Sequence, residues 1–415
     1  MLVEKKLSKI AKVADAKLIG KDLGFNKIST DTRTIKKGDI FLALKGENFD
    51  GHDFIETAIE KGASSIISER ELSDEINYIK TKNNFKFLNL LAKKIRSNFK
   101  GTVFAITGSN GKTSTKEITY ELLNHYFKGK KVFKSPKNWN NELGLYFSLL
   151  SLETSHEIAV FELGTNFPGE IFTLSDFLKP DHGVITNIGH SHLENLKSLE
   201  GVVNEKSDLF LNVKNHGSCI ARVENKFRKI ITKKSEGKKL TLLSKTKKDI
   251  FSTNFDISFQ CITNALGLKI SIQEKNKLKK LLSEKVNVSG RMERKMGPKK
   301  TTFLDDTYNA NPDSFLAAFE EISNLDFKKK ICVMGKMGEL GANSKKLHDK
   351  IIHKALEYFD YIFCVEINSK IIDRKIKYIS KDNVKKNIEN FFDEDTLILF
   401  KASRSVKMET VIKDI

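Results

Sequence analysis

A glycine-rich loop between a predicted strand and a predicted helix sets the strongest limit on the fold. The apolar run Val103 to Thr107 leads into this loop, and a helical pattern covers Thr113 to Phe127. In such a loop the glycines let backbone N–H groups face a phosphate, the helix N-terminus adds positive partial charge, and Lys112 adds a full charge. The hydroxyl of Thr113 suits Mg²⁺. The candidate phosphate-binding residues are Gly108, Ser109, Asn110, Gly111, Lys112, Thr113 and Ser114.

This loop differs from the general phosphate-loop pattern GxxxxGK[ST], which would place a glycine where Ile106 stands. Gly-Lys-Thr also occurs by chance in ordinary loops. The apolar run before it and the helical pattern after it favour phosphate binding, so we predict a variant phosphate-binding loop.

Strands and helices alternate along the chain, which predicts an α/β protein with mostly parallel sheets. Largely apolar runs, as expected for parallel strands covered on both faces, occur at Val103–Thr107, Ile158–Leu163, Gly183–Ile188, Thr302–Asp306, Lys330–Met334, Tyr361–Val365 and Thr396–Phe400. We expect three domains: a small α/β domain at 1–99, a central phosphate-loop domain at 100–286, and a Rossmann-like domain at 287–415.

The composition fits a folded, basic protein. Of the 415 residues, 39% are hydrophobic and 30% are charged, and the net charge is +19. Disorder, a collagen repeat and a coiled coil are therefore not expected. The basic residues are mostly lysines without an aromatic-interleaved tract, which favours a solvated surface over a nucleic-acid site. The lysine-rich stretch Lys226 to Lys248 is predicted to be an exposed surface segment.

Targeting and cysteine signals point to a cytoplasmic protein. Charged residues interrupt Met1 to Gly20, so a secretion signal is not expected, and no run approaches the ~18 apolar residues of a membrane span. The four cysteines form no CxxC pair and are expected to be small buried hydrophobic residues: Cys219, Cys261, Cys332 and Cys364.

Polar residues follow two more apolar runs, where parallel sheets place their ligands. Glu162 ends one run and could hold the metal that bridges nucleotide phosphates, although a strand-end acid is more often solvated. His190 and His192 follow another run, and a lone histidine pair is usually structural. Lys206 lies on a predicted helix, where an exposed or ion-paired lysine is the ordinary interpretation.

Together these motifs resemble the Mur ligases, the ATP-dependent amide-forming enzymes of peptidoglycan precursor synthesis. Thr107 to Thr115 is similar to the family's own phosphate-loop variant, and Glu162-Leu163-Gly164 to its metal-binding strand end. Asn138 to Gly144 resembles its asparagine-rich substrate loop. In the first domain, Ser29 to Arg33 and Phe41 to His52 look like the family's UDP-binding motifs.

The resemblance implies a role for each matching residue. Catalytic roles fall on Lys112, Asn140, His192 and Lys206, and metal binding on Thr113, Glu162, His192 and Lys206. The lysine matching Lys206 is often carbamylated in the family. ATP binding would extend from the loop to Asn264, Arg291 and Asp306. UDP-substrate binding falls on Ser29, Asp31, Thr32, Arg33, Lys45, Gly46 and Asn141.

The third region resembles the family member that adds D-alanyl-D-alanine. The matching stretches are Gly290 to Glu293, Asp305 to Pro312, and Gly335 to Gly341 with His348, while the Asp-Asn-Pro-Arg motif of the preceding ligase is absent. Three departures concern other parts of the chain. They are Gln260-Cys261 in place of His-Asn, Tyr146 in place of proline, and a shortened stretch from about 221 to 260.

The resemblance therefore implies an ATP- and Mg²⁺-dependent carbon–nitrogen ligase acting on UDP-N-acetylmuramoyl-tripeptide and D-alanyl-D-alanine. We expect no nucleic-acid partner and a monomer. Three alternatives remain at this point. The chain could be another Mur or folylpolyglutamate-type ligase, a nucleic-acid-stimulated phosphate-loop ATPase, or a non-catalytic relative suggested by Gln260 and Cys261.

Overall fold

The computed structural model describes residues 2–129, 131–244 and 249–415. By contacts it divides into two compact units, Met1–Thr102 with Gly129–Ala159, and Val103–Lys128 with Val160–Ile415. It contains three sheets, one within each predicted domain range, in a three-domain α/β fold. The exact domain boundaries stay a prediction. Within the described residues, no helix has the length and apolarity needed to cross a bilayer.

The N-terminal region contains a five-stranded sheet and three helices. Its elements are α1 (Leu7–Val13), β1 (Lys17–Ile19), β2 (Ile28–Ser29), β3 (Ile40–Leu42), α2 (Ile55–Glu60), β4 (Ser65–Ser68), β5 (Tyr78–Lys80) and α3 (Asn84–Asn98). The strand order is β1-β5-β4-β3-β2, with β1 antiparallel and the other pairs parallel.

The central region contains a six-stranded sheet in the order β11-β10-β9-β6-β8-β7. Its elements are β6 (Thr102–Thr107), α4 (Lys112–Tyr126), β7 (Lys131–Lys134), α5 (Glu142–Leu150), β8 (His156–Glu162), α6 (Glu170–Leu178), β9 (His182–Ile185), α7 (Leu193–Leu196), α8 (Leu199–Leu211), β10 (Ser218–Arg222), α9 (Arg228–Lys234), β11 (Lys239–Leu243), α10 (Ile250–Leu266) and α11 (Ile272–Lys285). The pairs β6–β9, β9–β10 and β10–β11 are parallel.

The C-terminal region contains a second six-stranded sheet, in the order β12-β13-β17-β14-β15-β16. Its elements are β12 (Glu293–Met296), β13 (Thr302–Asp306), α12 (Pro312–Ser323), β14 (Lys329–Gly335), α13 (Ser344–Ala355), β15 (Tyr361–Val365), β16 (Ile376–Ile379), α14 (Val384–Ile388), β17 (Thr396–Lys401) and α15 (Met408–Asp414). Only the edge pair β12–β13 is antiparallel among the pairs of this sheet.

Both faces of the C-terminal sheet are covered by apolar side chains from helices. Phe315 and Phe319 of α12 pack with Ile351 of α13 on one face. Val384 of α14 and Met408 of α15 pack on the other face. This two-sided burial explains why the strands of this sheet read as almost continuous apolar runs, and it confirms the Rossmann-like prediction.

The sequence patterns located most elements within a few residues. The strands at Thr302–Asp306 and Tyr361–Val365 have the predicted bounds, whereas the strand predicted at Gly183–Ile188 is His182–Ile185 and ends three residues earlier. The cysteines are free and buried, as predicted. The predicted surface segment Lys226–Lys248 needs correction, because its described part contains α9, edge strand β11 and the fully buried Ile231. Residues 245–248 lie outside the described residues.

His182 at the start of β9 should make folding stability depend on pH. Its ring centroid lies 4.7 Å from that of Phe104, and its Nδ1 lies 2.9 Å from Ser218 Oγ. Burial lowers the pKa of His182 from 6.5 to about 4, against the opposing charge of Asp181. A histidine with a depressed pKa stabilises the fold fully above pH 6.5, and this stabilisation is lost as the pH falls towards 4.

When the pH falls from 7 to 4.5, we expect the contribution of His182 to the free energy of unfolding to decrease by at most about 3 kcal/mol. Urea unfolding at both pH values measures this loss. His182→Phe should reduce the difference, whereas His353→Phe, at an exposed histidine of α13, should leave it unchanged. An undiminished pH dependence in His182→Phe would contradict this assignment.

Candidate active site

The loop after β6 has the geometry of a phosphate cradle. Gly108 and Gly111 have φ values of 147° and 77°, which side-chain-bearing residues rarely adopt. A Cβ atom at Gly108 would collide with the Thr186 side chain, and one at Gly111 with the Asn254 side chain. Gly111 is also the N-cap of α4, so backbone N–H groups at the helix start are available to an anion.

The segment after β9 holds this cradle from the neighbouring strand. Ser109 N donates to Asn187 O at 3.1 Å, and Asn110 N donates to Asn187 Oδ1 at 2.9 Å. The Thr186 hydroxyl donates to Asn110 O at 2.6 Å. Because β6 and β9 are adjacent and parallel, both segments emerge at the same edge of the sheet. The loop is thereby fixed before any ligand binds.

Lys112 directs its ammonium group into the cradle. Its Nζ donates to Gly108 O at 2.9 Å and to Ser109 O at 3.3 Å. Burial lowers the pKa of Lys112, while the carboxylates of Glu162 and Glu339 oppose that shift. The carbonyl contacts place a positive charge where the loop would enclose a phosphate.

Thr113 and Glu162 form the oxygen-ligand pair expected for Mg²⁺. The Thr113 hydroxyl lies 2.8 Å from Glu162 Oε2, and the two residues are 6% and 1% exposed. Glu162 is the last residue of β8, one residue before the predicted strand end at Leu163. Mg²⁺ takes oxygen ligands and commonly binds through one or two carboxylates plus substrate phosphates, so these residues fit that ion.

Arg291, just before β12, reaches the same point. Its Nη2 donates to Thr113 Oγ1 at 3.0 Å, and its guanidinium lies 4.3 Å from the Tyr308 ring centroid. Both the stacking and the hydrogen bond suit the flat arginine head. The arginine predicted to face a phosphate therefore lies at the cradle.

His190 and His192 contact the carboxylates of two different residues. His190 contacts Asp313 Oδ2 through its backbone N at 2.6 Å and Nδ1 at 2.9 Å, whereas His192 Nδ1 lies 2.7 Å from Glu339 Oε2. Within the described part of the chain, no group of three or more His, Cys, Asp or Glu residues could hold a metal by itself. Metal binding by His192 stays a prediction.

Lys206 on α8 is an ammonium group without a visible counter-ion contact. It is fully buried, and its Nζ has no hydrogen-bond partner within the described residues. Burial lowers the pKa of Lys206 well below its usual range, and the nearby charge of Lys112 adds to this shift. The adjacent Glu205 carboxylate instead accepts from Gly169 N and Ile171 N at the start of α6. An unpaired buried charge is costly, so the site suits a modified or otherwise compensated lysine.

Asp306, at the end of β13, forms an ion pair with a buried lysine. Lys401 Nζ lies 2.5 Å from Asp306 Oδ2, and Met292 N donates to Oδ1 at 3.2 Å. Lys401 is only 1% exposed and ends β17. The pair fixes the carboxylate predicted to bind ribose.

Asn264 lies ten residues beyond Asn254 on α10, or about 15 Å along the helix axis. Its Nδ2 donates to Thr241 Oγ1 at 2.8 Å, and Gln260 donates to its Oδ1 at 2.9 Å. Asn254 touches the cradle, so the helix leads away from the phosphate position. Gln260, one of the departures from the family pattern, orients Asn264.

The residues predicted to bind UDP belong to the first compact unit. Arg33 donates to the Asp31 carboxylate from Nε and Nη2, each at 2.9 Å. The same carboxylate caps the short turn Thr32–Thr34. Ser29 is the last residue of β2, and the Lys45-Gly46 loop follows β3. Because β2 and β3 are parallel neighbours, they end at the same sheet edge.

The asparagine-rich loop also belongs to the first unit. Asn141 caps α5 by accepting from Gly144 N at 2.9 Å, and Asn140 directly precedes it. Tyr146 is buried and donates to Glu142 Oε1 at 2.5 Å, and its hydroxyl also contacts Asn89. The tyrosine that replaces the family's proline is thus part of a local hydrogen-bond network.

Comparison with known proteins shows the family of this chain. Family models match in order along the chain: the Mur ligase family catalytic domain at 25–93, the Mur ligase middle domain at 106–291, and the Mur ligase glutamate ligase domain at 290–412. A UDP-N-acetylmuramoyl-tripeptide–D-alanyl-D-alanine ligase from Rickettsia prowazekii is 32% identical, over 98% of both chains. The chain belongs to the Mur ligase family.

Solved Mur ligase structures share the fold. A crystal structure of MurF from Acinetobacter baumannii is 25% identical, covers 99% of both chains and gives a TM-score of 0.83. A MurF ligase from Thermotoga maritima in complex with ADP is 29% identical, with a TM-score of 0.77 over 94% of this chain and 96% of that one. The predicted family resemblance is confirmed.

Sequence reasoning missed several long-range partners in this Mur ligase. Lys401 directly follows the apolar run Thr396–Phe400, and this position was the only local indication that it could lie near the site. The side chains of Asn110 and Asn311 exchange hydrogen bonds of 3.2 and 2.7 Å, and Glu339 meets His192, yet no spacing rule links these positions. Glu339 was recognised only as part of a motif.

Proposed function

We propose that this Mur ligase joins D-alanyl-D-alanine to UDP-N-acetylmuramoyl-tripeptide during peptidoglycan precursor synthesis, while ATP is converted to ADP and phosphate. The observation that carries the proposal is the convergence of Lys112, Thr113, Glu162 and Arg291 on one cradle. The relative from Rickettsia prowazekii supports this pair of substrates, and the ADP complex from Thermotoga maritima supports the nucleotide.

Amide formation through an acyl phosphate explains why the site needs positively charged and metal-binding residues. A carboxylate is a poor electrophile, so the γ-phosphoryl group of ATP is first transferred to it, and an amine then attacks the acyl phosphate. Lys112 and the cradle N–H groups hold the β and γ phosphates and stabilise the charge that develops during transfer. Mg²⁺ held by Thr113 and Glu162 would neutralise charge on the same phosphates.

The second set of groups would position the acceptor carboxylate. His192 and a carbamylated Lys206 are proposed to form a second metal site, because carbamylation converts the buried ammonium into a carboxylate-like ligand. The buried Nζ of Lys206, which has no hydrogen-bond partner in the ranges 2–129, 131–244 and 249–415, supports this assignment. Arg291 would contact phosphate, Asp306 the ribose hydroxyls, and Asn264 the adenine end.

The remaining assignments rest on the family motifs. Ser29, Asp31, Thr32, Arg33, Lys45 and Gly46 are proposed to bind the UDP moiety, with Asn140 and Asn141 contributing from the asparagine-rich loop. We further propose that the protein acts in the cytoplasm, where ATP and the UDP-linked precursor are available, and that it acts as a monomer.

ADP formation by the purified protein tests the function. UDP-N-acetylmuramoyl-tripeptide is supplied with D-alanyl-D-alanine, glutamate or diaminopimelate as the amine. We expect ADP, phosphate and the amide product with the dipeptide alone. Turnover with glutamate or diaminopimelate in its place would identify another ligase of the superfamily, and salt-sensitive binding to DNA or RNA would favour the ATPase alternative.

A further inference from the structure

The loop from 336 to 341, between β14 and α13, is anchored at its base by two buried side chains. His348 accepts a hydrogen bond from Met337 N through Nε2 at 2.8 Å, while its Nδ1 donates to Ser344 O at 2.7 Å. Ser403 Oγ accepts from Gly338 N at 2.7 Å. The loop therefore leaves the C-terminal sheet in a defined direction.

The tip of the loop meets the central region at α7. Glu339 has a φ of 60°, a left-handed conformation that is unusual for a residue with a side chain, and its carbonyl accepts from Glu194 N at 3.0 Å. A Cβ at Gly341 would lie 3.2 Å from Glu194 Cα. These contacts hold Glu339 beside the reacting groups.

Glu339 brings a negative charge from the C-terminal region to a positively charged centre. Its Oε2 lies 2.7 Å from His192 Nδ1, and Lys112 and Lys206 are close enough to interact with it electrostatically. The Glu339 side chain is 51% exposed, whereas that of His192 is 14% exposed and Lys206 is fully buried. The carboxylate is thus the member of this cluster that faces incoming solutes.

We propose that Glu339 binds the α-ammonium group of the incoming dipeptide beside the acyl phosphate. After this group has lost one proton to solvent, its neutral nitrogen attacks the acyl carbon, the C–N bond forms and phosphate leaves. This inference rests on the proposed function. A dipeptide reaches the site mainly as an ammonium ion at neutral pH, and Lys112 would repel it. Oε2 faces His192, so Oε1 supplies a charge-assisted acceptor on the exposed side.

Glu339→Gln tests this role, since it removes the charge and keeps the side-chain shape. We expect the KM for D-alanyl-D-alanine to rise by at least about tenfold, with the KM values for ATP and the UDP-tripeptide nearly unchanged. Glu339→Asp keeps the charge and should recover part of the loss. Glu284→Gln, at an exposed carboxylate of α11, is the matched control and should behave as the unmodified protein.

Hydroxylamine separates ammonium binding from the formation of the acyl phosphate. It is largely uncharged at neutral pH and intercepts acyl phosphates as hydroxamates. Glu339→Gln should retain hydroxylamine-dependent ADP formation while its reaction with the dipeptide falls. An unchanged dipeptide KM would overturn the proposal, and so would a parallel loss of both reactions in Glu339→Gln and Glu339→Asp. If the unmodified protein makes hydroxamate but does not use the dipeptide, the assigned amine substrate fails instead.

Discussion

Lys112→Ala should lower kcat for ADP formation by at least about 10²- to 10³-fold, the range seen when one preorganised charge-stabilising group is removed. The lysine ammonium lies on the carbonyl groups of Gly108 and Ser109, inside the cradle. Lys206 is fully buried on α8, so we do not expect its side chain to replace that of Lys112. Steady-state ADP release, measured with saturating UDP-tripeptide and dipeptide, checks the loss.

Binding of the UDP-substrate should survive this substitution, since the proposed UDP-binding residues belong to the first compact unit. Calorimetric titration with the UDP-tripeptide in the absence of ATP measures that affinity. Lys128→Ala, at an exposed lysine just beyond α4, provides the control for a lost lysine charge. An equal loss of UDP-substrate affinity in Lys112→Ala would contradict the proposed division of labour.

Activity should depend on bicarbonate because of Lys206. We expect intact-protein or peptide mass spectra to show a CO₂ adduct at this lysine, and removal of bicarbonate to lower kcat. Lys206→Met should lose about 10²-fold or more in kcat, because the proposed metal ligand is gone. An unmodified ammonium with full activity in bicarbonate-free buffer would contradict carbamylation.

Stability supplies an independent readout for the same residue. In bicarbonate-free buffer, Lys206→Met removes a buried nitrogen that has no hydrogen-bond partner in the described part of the chain, so the Tm should rise while activity falls. Lys229→Met, at an exposed lysine of α9, should leave both quantities unchanged. Opposite changes in stability and activity at Lys206 are the pattern expected of a functional group held at a cost to folding.

Local patterns were sufficient for the cradle and for the strands around it. The apolar run before Gly108 predicted β6, and β8 ends at Glu162, one residue before the predicted strand end. Such features depend on neighbours in the chain, because a buried parallel strand needs a continuous apolar run and a tight loop needs glycine. The surface interpretation of 226–248 was incomplete, since many lysines obscured the buried Ile231 and the edge strand β11.

Contacts between distant segments had no comparable local signal. His190 reaches Asp313, and Lys401 reaches Asp306, across long stretches of sequence. Histidine, lysine and aspartate occur at many surface positions, so their residue types alone do not identify a partner. The family resemblance assigned a role in ATP binding to Asp306, but it did not identify Lys401 as the partner of Asp306.

The amino-acid order by itself determined the phosphate cradle, the presence of the strands beside it and the α/β fold class, because backbone conformation and apolar periodicity are local properties. Only the tertiary structure decided that Arg291 meets Thr113 across 178 residues, that Glu339 faces His192, and that Lys206 Nζ is buried with no hydrogen-bond partner among the residues that the structure describes. Charge pairing and desolvation depend on what the packed interior brings together, and that arrangement exists only once the sheets and helices have assembled.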